Sequence, residues 1–223
     1  MERKIEKVLF IGNSHTFYND MPYILKYFSV FKNHTPLLDP IMIAHGGKSL
    51  GEHKLEPEIR FNILYGNFKY VVLQQVAHPF GGKAELIRDS IEINSYIKST
   101  DALAVAYMTW SEKNKLYNQQ EMIDSYIEMA NTIEAILCPV GIVWQKFSRK
   151  YPETEIYSSD CGHANTIGSY LVACVFYCTL LHENPIGLPS KIVHNHSLVF
   201  EIQDDIALNI QKVVWDEFKS KSI

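Results

Sequence analysis

Five short apolar runs rich in β-branched residues alternate with longer stretches of helical spacing, and this alternation limits the folds open to the chain. The runs cover residues 8–12, 40–44, 70–74, 102–107 and 140–144. The helical stretches cover 21–31, 55–65, 83–95, 119–137, 165–181 and 200–219. The runs lack a polar/apolar alternation, as expected of strands covered by helices on both faces. Strand and helix in turn require right-handed crossovers, and hence an open, mostly parallel sheet in a three-layer α/β/α sandwich. Hydrophobic residues make up 47% of the 223, enough to fill one large core. No repeat, low-complexity tract or linker divides the chain, so one domain over 1–223 is expected.

The net charge of −4 is spread among interspersed acids and bases. No basic block or acidic tail occurs, so neither nucleic acid nor a membrane is an expected partner. The charged residues 1–7 run directly into the first strand, with no apolar segment of signal-peptide or membrane-span length. As the chain stands this predicts a soluble, cytoplasmic protein, with export still open if an upstream signal has been removed. The four cysteines form no Cys-x-x-Cys pair, and Cys174 and Cys178 lie on an apolar helical segment. Free buried thiols are expected, with no metal or cofactor.

In an open parallel sheet, ligands sit beyond the carboxyl ends of the strands. After the first run comes Gly12-Asn13-Ser14-His15-Thr16, and after the second His45-Gly46-Gly47-Lys48-Ser49. After the third comes Gln74-Gln75-Val76-Ala77-His78-Pro79, and after the fourth Met108-Thr109-Trp110. Gly12 lets the backbone turn tightly, so that the Ser14 hydroxyl faces the cleft; the position also suits a helix N-cap or a loop serine. Asp160 and His163 form an Asp-x-x-His pair, a spacing that puts both side chains on one side of a turn. There the carboxylate can fix the imidazole tautomer and the imidazole can take a serine proton; a surface turn with a capping Asp uses the same residues. Gly46 and Gly47 permit close backbone approach, and Gln74 or Gln75 offers an amide donor for an oxyanion, although each also fits an ordinary turn or strand end.

These blocks together resemble the SGNH (GDSL-type) hydrolases. Residues Val8-Leu9-Phe10-Ile11-Gly12-Asn13-Ser14 resemble the first block, Gly46-Gly47 the glycine of the second, and Asp160-Cys161-Gly162-His163 the last. The stretch Gly168-Ser169-Tyr170-Leu171 is similar to the helix that follows the last block. Residues 12–22 and 70–75 look closer to an uncharacterised bacterial subgroup. The resemblance implies Ser14 as nucleophile and first oxyanion donor, His163 as base and Asp160 as its orienting acid. It implies Gly47 as the backbone oxyanion donor. The third block departs from the family pattern, with Gln74-Gln75-Val76-Ala77 in place of Gly-x-Asn-Asp, so Gln74, ahead of Gln75, is the expected amide donor. Asn13 stands for the usual Asp, and Ala164 where many members carry Pro.

The expected architecture is therefore a flavodoxin-like sheet of about five parallel strands. The expected activity is ester hydrolysis through an acyl-enzyme, with a small acyl group, acetyl above all, on a carbohydrate or similar soluble ester. Asn13, His15, Gln75 and Trp110 are expected to line the substrate site, with Trp110 and Tyr107 equally suited to the core. A non-catalytic glycan-binding module on the same fold is the alternative. A flavin or nucleotide binder is disfavoured, because neither Gly-x-Gly-x-x-Gly nor a phosphate loop follows the first strand. His194-Asn195-His196 lacks a nearby third ligand and is expected to be a solvated loop.

Overall fold

The computed structural model describes residues 3–32 and 36–219; the first two residues of the charged N-terminal segment lie outside them. Five strands form one parallel sheet: β1 (Ile5–Gly12), β2 (Leu37–Ala44), β3 (Tyr70–Leu73), β4 (Leu103–Tyr107) and β5 (Ile136–Cys138). Their order is β2-β1-β3-β4-β5, the flavodoxin-like order. The sheet direction of the chain reverses between β1 and β3, which puts a crevice beyond their carboxyl ends.

Helices cover both faces. On one side lie α2 (Met21–Phe31), α7 (Val140–Lys150), α8 (Thr166–Leu181) and α9 (Asp204–Lys219), packed on Val8, Phe10, Tyr70, Val72, Val105 and Tyr107. On the other lie α4 (Pro57–Tyr65), α5 (Lys83–Ile97) and α6 (Gln119–Ile133), packed on Leu9, Ile11, Val71, Leu73, Ala104 and Ala106. Successive side chains of each central strand thus enter opposite cores, which is why these strands show no polar alternation. β2 is one of the two edge strands and is only half buried; it tolerates Pro40, whose missing N–H costs least at an edge. Two short helices, α1 (Ser14–Phe17) and α3 (Leu50–His53), follow β1 and β2. Among the described residues, no helix is long and apolar enough to cross a membrane.

Three expected elements are corrected. Residues 140–144 are not a strand but the first turns of α7. Their β-branched character misled, yet Val140, Val143, Trp144 and Phe147 carry a helical stripe into the core. The fifth strand is instead Ile136–Cys138, carved from the end of the expected 119–137 helix. Glu134, in the left-handed conformation, ends α6 and releases the chain into that strand. The expected 200–219 helix begins at Asp204, because Phe200 belongs to a hairpin of β6 (Lys191–His194) and β7 (Ser197–Glu201). His194-Asn195-His196 closes this hairpin, with φ of 48° at Asn195 and 63° at His196, as a type I′ turn requires. Cys138, Cys174 and Cys178 are buried free thiols, whereas Cys161 is partly exposed.

The sheet also reaches the turn after β1. Tyr107, fully buried on β4, donates its hydroxyl to the backbone carbonyl of His15 at 3.0 Å. Tyr107→Phe leaves that carbonyl buried and unpaired, and should lower stability by about 1–2 kcal/mol, read as a fall in the urea midpoint at unchanged m-value.

Candidate active site

The chain leaves β1 through Gly12, where there is no room for a side chain. A Cβ there would stand 2.4 Å from Gln74 Oε1 and 2.8 Å from Thr16 Oγ1. Asn13 then caps α1, its Oδ1 accepting the His15 amide at 3.1 Å, and Ser14 opens the helix. Beneath this turn lies the side chain of Gln74, fully buried at the end of β3. Its Oε1 accepts from the Asn13 amide at 2.8 Å and the Thr16 hydroxyl at 3.1 Å. Its Nε2 donates to Asn13 Oδ1 at 3.0 Å and to the Gln75 carbonyl.

The β2 loop is held beside the same turn. His45 N donates to the Gly12 carbonyl at 3.2 Å, and Asn13 Nδ2 donates to the Lys48 carbonyl at 3.0 Å. The buried His53 donates Nε2–H to the Gly12 carbonyl at 2.7 Å, while its Nδ1 lies 2.9 Å from Glu56 Oε2. Gly47 sits at the exposed crest of this loop with φ +71°, a conformation open to glycine at little cost. His45, Glu56 and Glu58 bring potential metal ligands within 4.8 Å of one another. The Lys48 ammonium already binds Glu56, so the position open to a cation is held by a positive charge of the chain itself.

Asp160 and His163 lie on a loop between Tyr157 and Ala164, which bridge as an antiparallel pair. Cys161 makes the tight bend at φ 61°. The loop is pinned by Ser158 N to the His163 carbonyl (2.7 Å), Lys113 N to the Cys161 carbonyl (2.8 Å) and Trp110 Nε1 to the Gly162 carbonyl (2.9 Å). Immediately after it, Asn165 caps α8 through Gly168 N at 2.9 Å. The two loops bring Ser14 Oγ to 2.6 Å from His163 Nε2, and His163 Nδ1 to 2.5 Å from Asp160 Oδ2. Asp160 Oδ1 accepts the Gly162 and His163 amides, each at 2.9 Å. Partial burial raises the pKa of the Asp160 carboxyl, but the Gly162 amide, the His163 ring and the His163 amide outweigh it and hold the group at about 2. A carboxylate can only accept, so His163 Nδ1 carries the proton and Nε2 presents its lone pair to the Ser14 hydroxyl.

Around His163 stand three further rings. Tyr18 stacks on it at 4.1 Å between centroids and 7° between planes. His15 lies 4.8 Å from His163 and 4.8 Å from His78. Burial pushes the His15 imidazole well below its ordinary value, and His78 and His163 push it the same way, so His15 stays neutral. Its Nε2 is buried with no hydrogen-bond partner among the described residues. Burial also lowers His78, whose Nε2 donates to the Trp110 carbonyl at 3.0 Å.

Several expected positions differ. Gln74 and Gln75 are both fully buried, and their carboxamides serve the protein rather than the cleft. Gln75 Oε1 accepts from Leu50 N and Val76 N, each at 2.9 Å, and its Nε2 reaches Glu85 at 3.3 Å. Neither is placed as a free amide donor. Asn13, expected to line the site, is buried as a cap. Trp110 is also buried, stacked on Trp144 of α7 at 4.0 Å and 3°, and supports the Asp160 loop instead of facing substrate. Tyr18, His53 and His78 were not singled out from sequence. Tyr18 follows Ser14 by one helical turn, a spacing that would have flagged it; His53 and His78 carried no local signal.

No protein-family model matches the chain, and no curated protein matches it in sequence. Solved structures do match. A DUF4886 family protein from Bacteroides uniformis aligns with 97% of this chain and 95% of its own, at a TM-score of 0.77 and 18% identity. LAE5, described as an alpha/beta hydrolase enzyme from the metagenome of Lake Arreo, aligns with 80% of this chain and 96% of its own, at 0.64 and 13%. The lipase/acylhydrolase of Enterococcus faecalis aligns with 77% and 93%, at 0.61 and 11%. At these identities the likeness is one of fold, and it is the fold that the motif blocks implied: the chain has the three-layer α/β/α architecture of the GDSL-like (SGNH) hydrolases.

Proposed function

We propose that the chain is a serine hydrolase that cleaves esters through an acyl-enzyme, and that its substrates carry a small acyl group, acetyl above all, on a carbohydrate or similar soluble alcohol. The observation that carries this reading is the unbroken line from Ser14 Oγ through His163 to Asp160, at 2.6 and 2.5 Å. The hydrolase fold of the solved neighbours supports it further.

In this mechanism Ser14 attacks the ester carbonyl as His163 Nε2 takes its proton. The C–O bond to the alcohol then breaks, and His163 returns the proton to the leaving oxygen. Water, deprotonated by the same nitrogen, attacks the acyl-enzyme and releases the acid. Asp160 stays ionised throughout and offsets the charge of the imidazolium. The Tyr18 face supports that cation from the other side, an interaction worth about 0.5–2 kcal/mol. With the Gln74 carboxamide occupied, the backbone amides of Ser14 and Gly47 are the oxyanion donors of this reading. Each such donor is typically worth about 3 kcal/mol in the transition state.

Ser14→Ala and His163→Ala should each lower kcat on p-nitrophenyl acetate by at least about 10⁴-fold, and Ser14→Ala should abolish labelling by a fluorophosphonate probe. Activity that persists in both variants, or a folded wild type that takes no label, refutes the assignment and favours a glycan-binding module.

Asp160→Asn should cost on the order of 10⁴ in kcat through the wrong tautomer. The depressed Asp160 value also has a sign. Its stabilisation is complete above the unfolded-state carboxyl value of about 3.9 and disappears as pH falls towards 2. The stability gap between wild type and Asp160→Asn, measured by urea unfolding, should therefore narrow between pH 4 and 2 (~2 units).

Tyr18→Leu should lower kcat by roughly fivefold with KM little changed, corresponding to about 1 kcal/mol, and Tyr18→Phe should restore it, because the ring face and not the hydroxyl makes the contact. Equal losses in both variants would point to a role for the hydroxyl.

A further inference from the structure

A cavity of about 170 Å³ lies between the loop after β3 and the loop after β4. Its lining joins Phe80 and Met122 with His78, Ser111, Glu112 and Glu121. His78 is a wall shared with the triad loop: its Nδ1 lies 3.0 Å from where a Cβ on Gly162 would stand, between Asp160 and His163. Ser111 follows Trp110, whose indole holds the Gly162 carbonyl. The cavity thus abuts the loop that carries Asp160 and His163.

Its chemistry selects among ligands. Ser111 is 1% exposed, and its Oγ has no hydrogen-bond partner among the described residues. Its backbone is fully used, with N donating to Gln119 Oε1 at 2.7 Å and O accepting from Tyr157 at 3.0 Å, so the hydroxyl alone is spare. Lys115 and Asn118 also line it, and the Lys115 ammonium is paired with Glu112 at 2.8 Å, so its charge is offset within the lining, where carboxylates outnumber cations. A long acyl chain would strip water from these carboxylates and give nothing back, at about 1–3 kcal/mol for each unpaired group. An anion would meet two carboxylates. A sugar ring supplies O–H donors to the acceptors and C–H faces to Phe80 and Met122. The size also suits one ring, since a cavity of about 150 Å³ holds a benzene molecule.

We propose that this cavity is a sugar subsite that binds the ring of the alcohol portion of the ester, with Ser111 Oγ, Glu112 and Glu121 bonded to its hydroxyls. The proposal rests on the hydrolase reading for its place in the reaction, but binding itself does not require the triad.

Two measurements separate the two claims. The first compares kcat/KM for an acetylated methyl xyloside with that for p-nitrophenyl acetate, in wild type, Ser111→Ala and the double variant Glu112→Gln/Glu121→Gln. The ratio should fall about tenfold or more in each variant, mainly through KM of the sugar ester. An unchanged ratio overturns the subsite. The second follows binding of the unesterified methyl xyloside to the wild-type chain by saturation-transfer NMR. Binding that weakens in both variants supports the subsite even if no ester is hydrolysed, an outcome that would sink the hydrolase reading alone. No binding by wild type, or a preference for a choline ester over the sugar, overturns the subsite while esterase activity stands. Removing an unpartnered hydroxyl costs little stability, so Ser111→Ala keeps the test open should the double variant fold poorly.

Discussion

The buried carboxamide of Gln74 is the joint on which the carboxyl end of the sheet around Ser14 depends. It sits where the strand order reverses and spends both of its ends on the Gly12–Thr16 turn, accepting from Asn13 N and Thr16 Oγ1 and donating to Asn13 Oδ1. A carboxamide can donate from one atom and accept at another, which neither a carboxylate nor an apolar side chain of that size does. Buried at this depth, a partner lost from the network would leave polar atoms unpaired in a low-dielectric interior. The absence of a side chain at Gly12 is the other half of the same joint, since the Gln74 oxygen occupies the space a Cβ would take.

The imidazole side of the site is organised differently. Its loop is held mainly by backbone groups, with the Asp160 carboxylate satisfying two amides of its own turn before it meets the ring. This fixes the carboxylate and keeps it ionised, so it can orient one tautomer without competing for the proton. His15 and His78 surround the site yet are held neutral by burial, so neither adds a positive charge beside His163. Three imidazoles in close proximity thus have separate roles, set by burial and by access to a carboxylate.

Much of this was legible before the fold was known. Ser14, Asp160 and His163 stand in local patterns whose residue types limit their chemistry. Four of the five strand positions were readable, the three central ones because uninterrupted β-branched runs suit two-sided burial. Residues 140–144 failed for the same reason, since Val-Gly-Ile-Val-Trp suits a buried strand or a buried helix and only the following Phe147 reveals the period. Trp110, held equally suited to the cleft and to the core, is half of a buried stack with Trp144 of that helix. Gln74 was read as an oxyanion donor facing substrate, whereas its carboxamide lies under the turn after β1.

By itself the sequence determined the sheet class, the two loops that carry Ser14 and His163, and the spacing of Asp160 from His163, because each of these is written in neighbouring residues. Tertiary structure alone decided that Ser14 and His163, distant in the chain, stand within one hydrogen bond, that Tyr18 lies flat on the imidazole, and that both glutamines turn inward. The reason is physical: local patterns encode backbone conformation and the face a residue presents, whereas the partner of a buried polar group depends on which elements the whole chain packs around it.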